Sequence, residues 1–165
     1  MGFEATGREI TQGGFWRTVG SRPVGATVIT ASHNAGPAGF LGLSFAHVSA
    51  EPPTVLVSAG KTTSALPVIR DTGHFAVNLL PGGAEDMARM FGGTADMTER
   101  FAAGQWGSFV TGAPILKTAA AVFDCRLERA VEDEGAVILV GGVRGVRSDG
   151  NTGVTIAYQG GYRDF

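Results

Sequence analysis

The sequence lacks most of what would staple, charge or anchor a chain. It holds one cysteine, Cys125, in 165 residues, so it can form no internal disulfide and no thiolate metal cluster. That fits a reducing compartment, and a cytoplasmic location is expected. Charged residues are only 17%, with 13 basic against 15 acidic for a net charge of −2. No basic run stands out, so a nucleic-acid partner has no electrostatic footprint. No stretch approaches the ~18 apolar residues of a membrane span, so no membrane partner is expected. Met1-Gly2-Phe3-Glu4 has neither a basic nor an apolar region and does not read as a secretory signal. Proline is sparse at 7, and no Gly-X-Y period accompanies the 26 glycines, which excludes collagen-like and low-complexity chains.

The glycines are what the sequence has in excess, about twice the ~7% average usage. Interior helical glycine costs ~1 kcal/mol relative to alanine, so a helix bundle is disfavoured and a strand-rich chain with tight turns is indicated. With 44% hydrophobic residues and a length typical of one domain of ~100–200 residues, the chain can bury a core unaided. An N-terminal arm over 1–14 and a single domain over 15–165 are expected.

Phe15 to Val19 reads as a short helix ending at Gly20, before Pro23. Ala26 to Ala31 is β-branched and ends in the turn cluster Asn34-Ala35-Gly36-Pro37; a second strand follows over Gly39 to Ala46. Thr54 to Ser58 is a third strand behind Pro52-Pro53. Ser64 is placed to cap a helix over Ala65 to Asp71 that stops at Gly73, and Phe75 to Leu79 is a fourth strand. Glu85 and Asp86 open another helix with Met87, Met90 and Phe91 on one face, stopped by Gly92-Gly93. Phe123, Cys125 and Leu127 alternate with Asp124, Arg126 and Glu128, the period of a half-buried strand. Ala136 to Val140 is continuously apolar, as in a strand covered on both faces. Val154 to Tyr158 reads as a last strand before the Gly160-Gly161 turn. The pattern is mainly β, an antiparallel barrel with a few short helices.

Common catalytic signatures are missing: no G-x-G-x-x-G, no G-x-S-x-G, no H-E-x-x-H. Gly60-Lys61-Thr62 imitates the end of a P-loop, but Val55 stands where that motif requires glycine. The tripeptide is either a phosphate-binding turn with Lys61 as cation or an ordinary surface turn with a solvated lysine. His33, His47 and His74 match no metal-ligand spacing and read as structural or exposed, and Cys125 reads as a buried, inert thiol. No acid–base pair is evident, so the chain is a binder or an enzyme whose cofactor carries the chemistry.

Seven segments in order carry a resemblance. They are Arg22-Pro23-Val24-Gly25-Ala26-Thr27-Val28-Ile29-Thr30, then Gly39 through Pro53, Phe75-Ala76-Val77-Asn78-Leu79-Leu80 and Glu99-Arg100-Phe101. Gly112-Ala113-Pro114-Ile115-Leu116, Asp124-Cys125-Arg126-Leu127 and Tyr158 to Arg163 complete them. Together they resemble the flavin reductase family with the FMN-binding split-barrel fold, the reductase components of two-component flavin-dependent monooxygenases. The resemblance covers nearly the whole chain from Phe15. It implies a split β-barrel of Greek-key-like antiparallel strands, a homodimer, and NAD(P)H-dependent reduction of FMN or FAD, with NADH or NADPH as co-substrate and reduced flavin passing to a partner monooxygenase.

Carried over by position, the resemblance puts the backbone of Val24, Gly25 and Ala26 against the isoalloxazine. It puts Leu41, Leu43 and Ser44 along the ribityl chain and phosphate, with Ser49 in the same segment, and Ser58, Ala59, Gly60, Lys61 and Thr62 on a second phosphate side. Tyr162 becomes a candidate cleft residue, and Gly25, Gly39, Gly42 and Gly60 are expected to let backbone approach the ligand. The chain also departs from the pattern. Leu41 and Leu43 replace hydroxyl or amide residues, and Ala136 stands where many members carry a histidine near the nicotinamide. A non-catalytic flavin-binding carrier or sensor is the alternative that Ala136 suggests.

Overall fold

The computed structural model describes residues 9–150 and 152–165. The first eight residues of the expected arm, including Met1 to Glu4, lie outside the described residues. The chain runs α1 (Gln12–Gly20), β1 (Val24–Gly25), β2 (Thr27–His33), β3 (Gly36–Gly42), β4 (Ala46–Ala50), β5 (Pro53–Gly60), α2 (Ala65–Thr72) and β6 (His74–Leu79). There follow α3 (Glu85–Arg89), a π-helical turn (Met90–Thr94), α4 (Met97–Ala102), β7 (Trp106–Gly107), β8 (Ile115–Leu116), β9 (Ala121–Glu132), β10 (Ala136–Ser148), β11 (Thr155–Tyr158) and β12 (Gly161–Asp164).

Seven strands form one antiparallel sheet in the order β3-β2-β6-β9-β10-β5-β4, and β1-β11-β12 form a second. The outer strands β3 and β4 do not pair with each other, so the barrel is split. β2 is buried on both faces. Its alternate side chains serve two cores, Ile29 and Ala31 in one, Val28 with the preceding Ala26 in the other. The first core includes Val57, Phe75 and Leu139 and is covered by Leu66, Val68 and Ile69 of α2. The second joins Leu80, Val122 and Leu116 to Phe91. Each fully buried aliphatic chain of this kind contributes about 1.5–3 kcal/mol.

The two sheets meet at Ala26, which is fully buried. Its N–H donates to the Thr155 carbonyl at 2.8 Å and its own carbonyl accepts the Leu80 N–H at 2.9 Å. Thr155, also fully buried, secures the other side. Its hydroxyl donates to the Pro81 carbonyl at 2.7 Å and accepts the Ala84 N–H at 3.1 Å. A second buried polar knot ties down the 106–119 segment. The Asn78 amide donates to the Val28 carbonyl at 3.1 Å and accepts the Leu116 N–H at 2.8 Å, while the Thr30 hydroxyl donates to the Pro114 carbonyl at 2.5 Å.

Several expectations need correction. The hairpin turn is Asn34-Ala35 alone; Gly36 and Pro37 already belong to β3, where an outer strand tolerates proline, and β3 ends at Gly42 rather than Ala46. Ser64 holds the cap position of α2 but makes no side-chain cap bond, whereas Gly73 ends the helix with a left-handed φ of 73°. Beyond the Gln159-Gly160 turn the chain adds β12, so β11 is not the last strand. Asp124 is not on a solvent face. It is fully buried, and its carboxylate accepts the N–H groups of Val110 at 2.6 Å and Thr111 at 2.8 Å and the Thr111 hydroxyl at 2.5 Å. The period-two reading failed there because the 109–111 loop folds over the polar face of β9.

Thr155→Val keeps the shape but strands the Ala84 N–H and the Pro81 carbonyl, and is expected to lower unfolding free energy by about 2 kcal/mol. Asp124→Asn removes the charge from a clamp with three donors and is expected to lose about 2 kcal/mol. Denaturant unfolding of each variant measures both losses.

Candidate active site

A cleft of about 950 Å³ opens between the two sheets, near the upper end of small-molecule sites at roughly 300–1,000 Å³. Leu41, Leu43 and Ser44 from β3 and its exit form one wall with Phe40. Val24 and the β11–β12 hairpin, from Ala157 to Tyr162, form the facing wall. The π-helical turn adds Phe91, Gly92 and Gly93. A Cβ on Gly92 would sit 3.5 Å from Leu41 Cδ2 and 3.9 Å from the Tyr162 hydroxyl, so these three groups converge. Phe91 is braced from behind by Phe101, edge-on at 5.4 Å, and Phe101 in turn by Trp106 at 4.7 Å.

The β5–α2 end of the cleft is polar. Ser58, Gly60, Thr62, Thr63 and Ser64 line it, directly ahead of α2. The Ser44 oxygen accepts the Ser58 N–H at 2.8 Å and the Ser58 hydroxyl at 2.9 Å. This pair therefore already holds the β3–β4 connection against β5. Neither Thr62, Thr63 nor Ser64 makes a side-chain hydrogen bond among the described residues, which leaves three hydroxyls for an anionic oxygen-rich group; the Thr63 and Leu66 amides are already bonded to the Gly60 and Thr63 carbonyls, and Pro67 has no N–H. Gly135 and Ala136, at the β9–β10 hairpin, complete this end.

Among the described residues, the titratable side chains lining the cleft are Arg22, Arg100, Tyr158 and Tyr162. Arg100 is committed to structure: Nε donates to the Ala95 carbonyl at 2.9 Å and Nη1 to the Gly39 carbonyl at 3.0 Å. Burial pushes the Tyr162 phenol pKa up, against the opposing charge of Arg89, whose guanidinium lies 5.2 Å from the ring centroid. The phenol therefore stays protonated, able to donate. Aromatic faces, hydroxyls and amides suit a flat heterocycle carrying a phosphate; the cleft offers no carboxylate or imidazole.

Of the residues singled out from the sequence, Val24, Leu41, Leu43, Ser44, Ser58, Gly60, Thr62 and Tyr162 are brought together here. Five lie elsewhere. Ala26 and Ala59 are core residues, and both backbone groups of Ala26 are already bonded. Gly25 faces inward, where a Cβ would lie 2.7 Å from Leu79 Cδ1. Ser49 turns its hydroxyl onto the backbone of Glu51, at 3.0 and 3.1 Å. Lys61 points to Glu132, with Nζ 3.9 Å from Oε2, and Arg70 pairs with the same carboxylate. Gly39 and Gly42 also serve packing, since Cβ atoms there would lie 2.9 Å from the Ile29 carbonyl and 2.7 Å from Ile29 Cγ1. Thr63, Ser64, Gly92, Gly93, Arg22 and Trp16 were missed. The unbroken Thr62-Thr63-Ser64 hydroxyl run before a helix was the signal available for the first two.

The other candidates hold no place in the cleft. His33 and His47 are exposed, and the Nδ1 of His74 is buried without a partner among the described residues. Cys125 is fully buried, and burial with the neighbouring Asp124 charge pushes its thiol up to about 12.

The chain belongs to the flavin reductase like domain family, whose model matches residues 19–165. It is 42% identical over 103 residues to the FMN reductase (NADH) RutF of Stutzerimonas stutzeri, covering 62% of this chain and 59% of that protein. It is 38% identical over 144 residues to the stachydrine N-demethylase reductase subunit of Rhizobium meliloti, covering 87% of this chain and 61% of the other. The chain thus aligns with about three fifths of the length of these relatives. Among solved structures, it superposes with a TM-score of 0.85 and 29% identity on the NADH:FAD oxidoreductase SgcE6 of Streptomyces globisporus in complex with NAD and FAD fragments, covering 93% of this chain and 92% of that one.

A thiol held that far above neutrality is unreactive. Native protein at pH 8 is expected to resist a disulfide reagent for hours and to react fully at Cys125 once unfolded in guanidinium, read by thiolate release.

Proposed function

We propose that this protein is an NADH-dependent flavin reductase that takes FMN or FAD. The observation that carries the reading is the cleft: aromatic and aliphatic along its length, hydroxyl- and amide-rich at one end, and without an acid–base pair. The names of the relatives, an FMN reductase (NADH) and an NADH:FAD oxidoreductase, support NADH as the donor.

On this reading the flavin phosphate sits at the hydroxyls of Thr62, Thr63 and Ser64, with the rings between Leu41, Gly92 and Tyr162. Hydride passes from nicotinamide C4 to flavin N5, and a solvent proton completes the reduced flavin. The chain contributes position, not proton transfer. Protonated Tyr162, fixed under Arg89, offers a hydrogen-bond donor at the ring edge. Ser44 and Ser58 keep the floor rigid, and Leu41 and Leu43 exclude water.

The residues from 15 onward then act as one reductase domain. Exposed Phe109 and Val110, packed over Gly145, and exposed Val146 give an apolar face suited to a homodimer, and a monooxygenase is the consumer of reduced flavin. No helix among the described residues is long and apolar enough to cross a membrane.

Steady-state oxidation of NADH with FMN or FAD in excess tests the reading. Turnover well above the buffer rate is expected, and the double variant Thr62→Ala, Ser64→Ala should raise flavin KM about tenfold while kcat changes less than twofold. A tight coloured complex without turnover would instead favour a flavin carrier, and no acceleration with either flavin would refute the reductase.

A further inference from the structure

The first helix buries none of its residues. Thr11 caps it, its side chain accepting the Gly14 N–H at 3.1 Å, and the Gly20 carbonyl accepts the Gln159 N–H at 2.8 Å. That bond ties the end of α1 to the β11–β12 turn. The helix is therefore held at the cleft mouth by its backbone, while its large side chains stay in solvent. Trp16 is 61% exposed, braced edge-on by Phe15 at 5.4 Å, and lines the cleft together with Val19, Gly20 and Arg22.

Arg22 differs from the other cleft cation. Arg100 is bonded to two carbonyls, whereas the side chain of Arg22 makes no hydrogen bond or ion pair among the described residues. Its backbone is nevertheless fixed, its N–H donating to the Val19 carbonyl at 3.2 Å, with Pro23 restricting the next residue. Lys61 cannot serve in its stead, since it faces Glu132. A braced, exposed indole and an unpaired guanidinium that line the same cleft match a base joined to a phosphate: the first presents a π-face, the second a forked cation for phosphate oxygens.

We infer that Trp16 and Arg22 form a second subsite, at the mouth of the cleft, for the adenosine diphosphate half of a dinucleotide. Trp16 stacks on the adenine and Arg22 pairs with the diphosphate. The inference rests on the flavin-reductase reading for the choice of dinucleotide, and both FAD and NADH carry this moiety.

The test uses the intact protein, with ADP as the probe. Trp16 emission should be quenched by ADP. Trp16→Phe should abolish that change, since the other indole, Trp106, is packed behind Phe91 and Phe101. Arg22→Gln should raise the Kd for ADP about tenfold. With flavins, Trp16→Ala should raise the Kd for FAD about tenfold more than that for FMN if the moiety belongs to FAD. If it belongs to NADH, the same variant should raise the KM for NADH about tenfold with FMN as acceptor. The α1 residues bury nothing, so these variants should fold, which far-ultraviolet circular dichroism checks. ADP that leaves the emission unchanged up to millimolar concentration would overturn the inference. So would equal losses for FMN and FAD with an unchanged KM for NADH. ADP binding without any flavin reduction would support the subsite and refute the reductase reading instead.

Discussion

The site depends on one backbone position. At Ala26 the chain leaves the small sheet and enters the large one, and both peptide groups of that residue are bonded, one to each neighbour. The burial around it is complete, so a larger side chain would overpack the junction. Because the two sheets are pinned there and diverge beyond it, their facing strands cannot collapse on each other, and the cleft is the space that remains. Thr155 reinforces the pin from β11, with its hydroxyl bridging Pro81 and Ala84. Val24 and Leu41 reach the cleft because they lie on opposite sides of this divergence.

The same economy shapes the electrostatics. Cations near the cleft are mostly committed to protein partners: Lys61 and Arg70 to Glu132, Arg100 to carbonyls of the π-turn region, Arg89 to Glu85 and the face of Tyr162. The one fully buried carboxylate, Asp124, is satisfied by the 110–111 loop and sits on β9. What is left uncommitted at the cleft is the Arg22 guanidinium at its mouth and the uncharged hydroxyls of its β5–α2 end. On the proposed reading those hydroxyls would hold the flavin phosphate without a permanent charge pair, and such a site releases its ligand more readily than a clamped one.

Much of the fold was legible because β2, β5, β6 and β10 are buried on one or both faces and so carry either period-two or continuous apolar runs. α4 was not read, although Asp96 and Glu99 form a capping box, each bonded to the other's backbone; the Asp-x-x-Glu spacing was there to find. The burial of Asp124 was illegible, because alternation cannot report a loop that folds back over the polar face. The segments around the site were recognisable, but the direction of each side chain was not. Gly25, Ala26 and Ala59 are neighbours of the cleft in sequence and face the core in space. Lys61 looked free only because its partner, Glu132, is remote in the chain. Trp16 lies outside the recognised segments and Arg22 opens the first of them without a role read for it; the bond from Gln159 to Gly20 holds the end of α1, just ahead of Arg22, at the cleft mouth.

Ala136 bears on the chemistry most directly. It lines the cleft beside Gly135, at the position where the family pattern that the sequence resembles would put a histidine. On the proposed reaction the loss is tolerable. Hydride transfer between two stacked rings needs no general base in the protein, and its rate is governed by how well the rings are aligned and shielded. An imidazole at this place would act by positioning the nicotinamide, and an alanine shifts that duty to other contacts. A second subsite gripping the distant end of the dinucleotide would supply it, since binding energy from a remote, unreactive part of a substrate can hold the reacting part in place. The missing side chain at one end of the cleft and the uncommitted indole and guanidinium at its mouth are then two aspects of one arrangement.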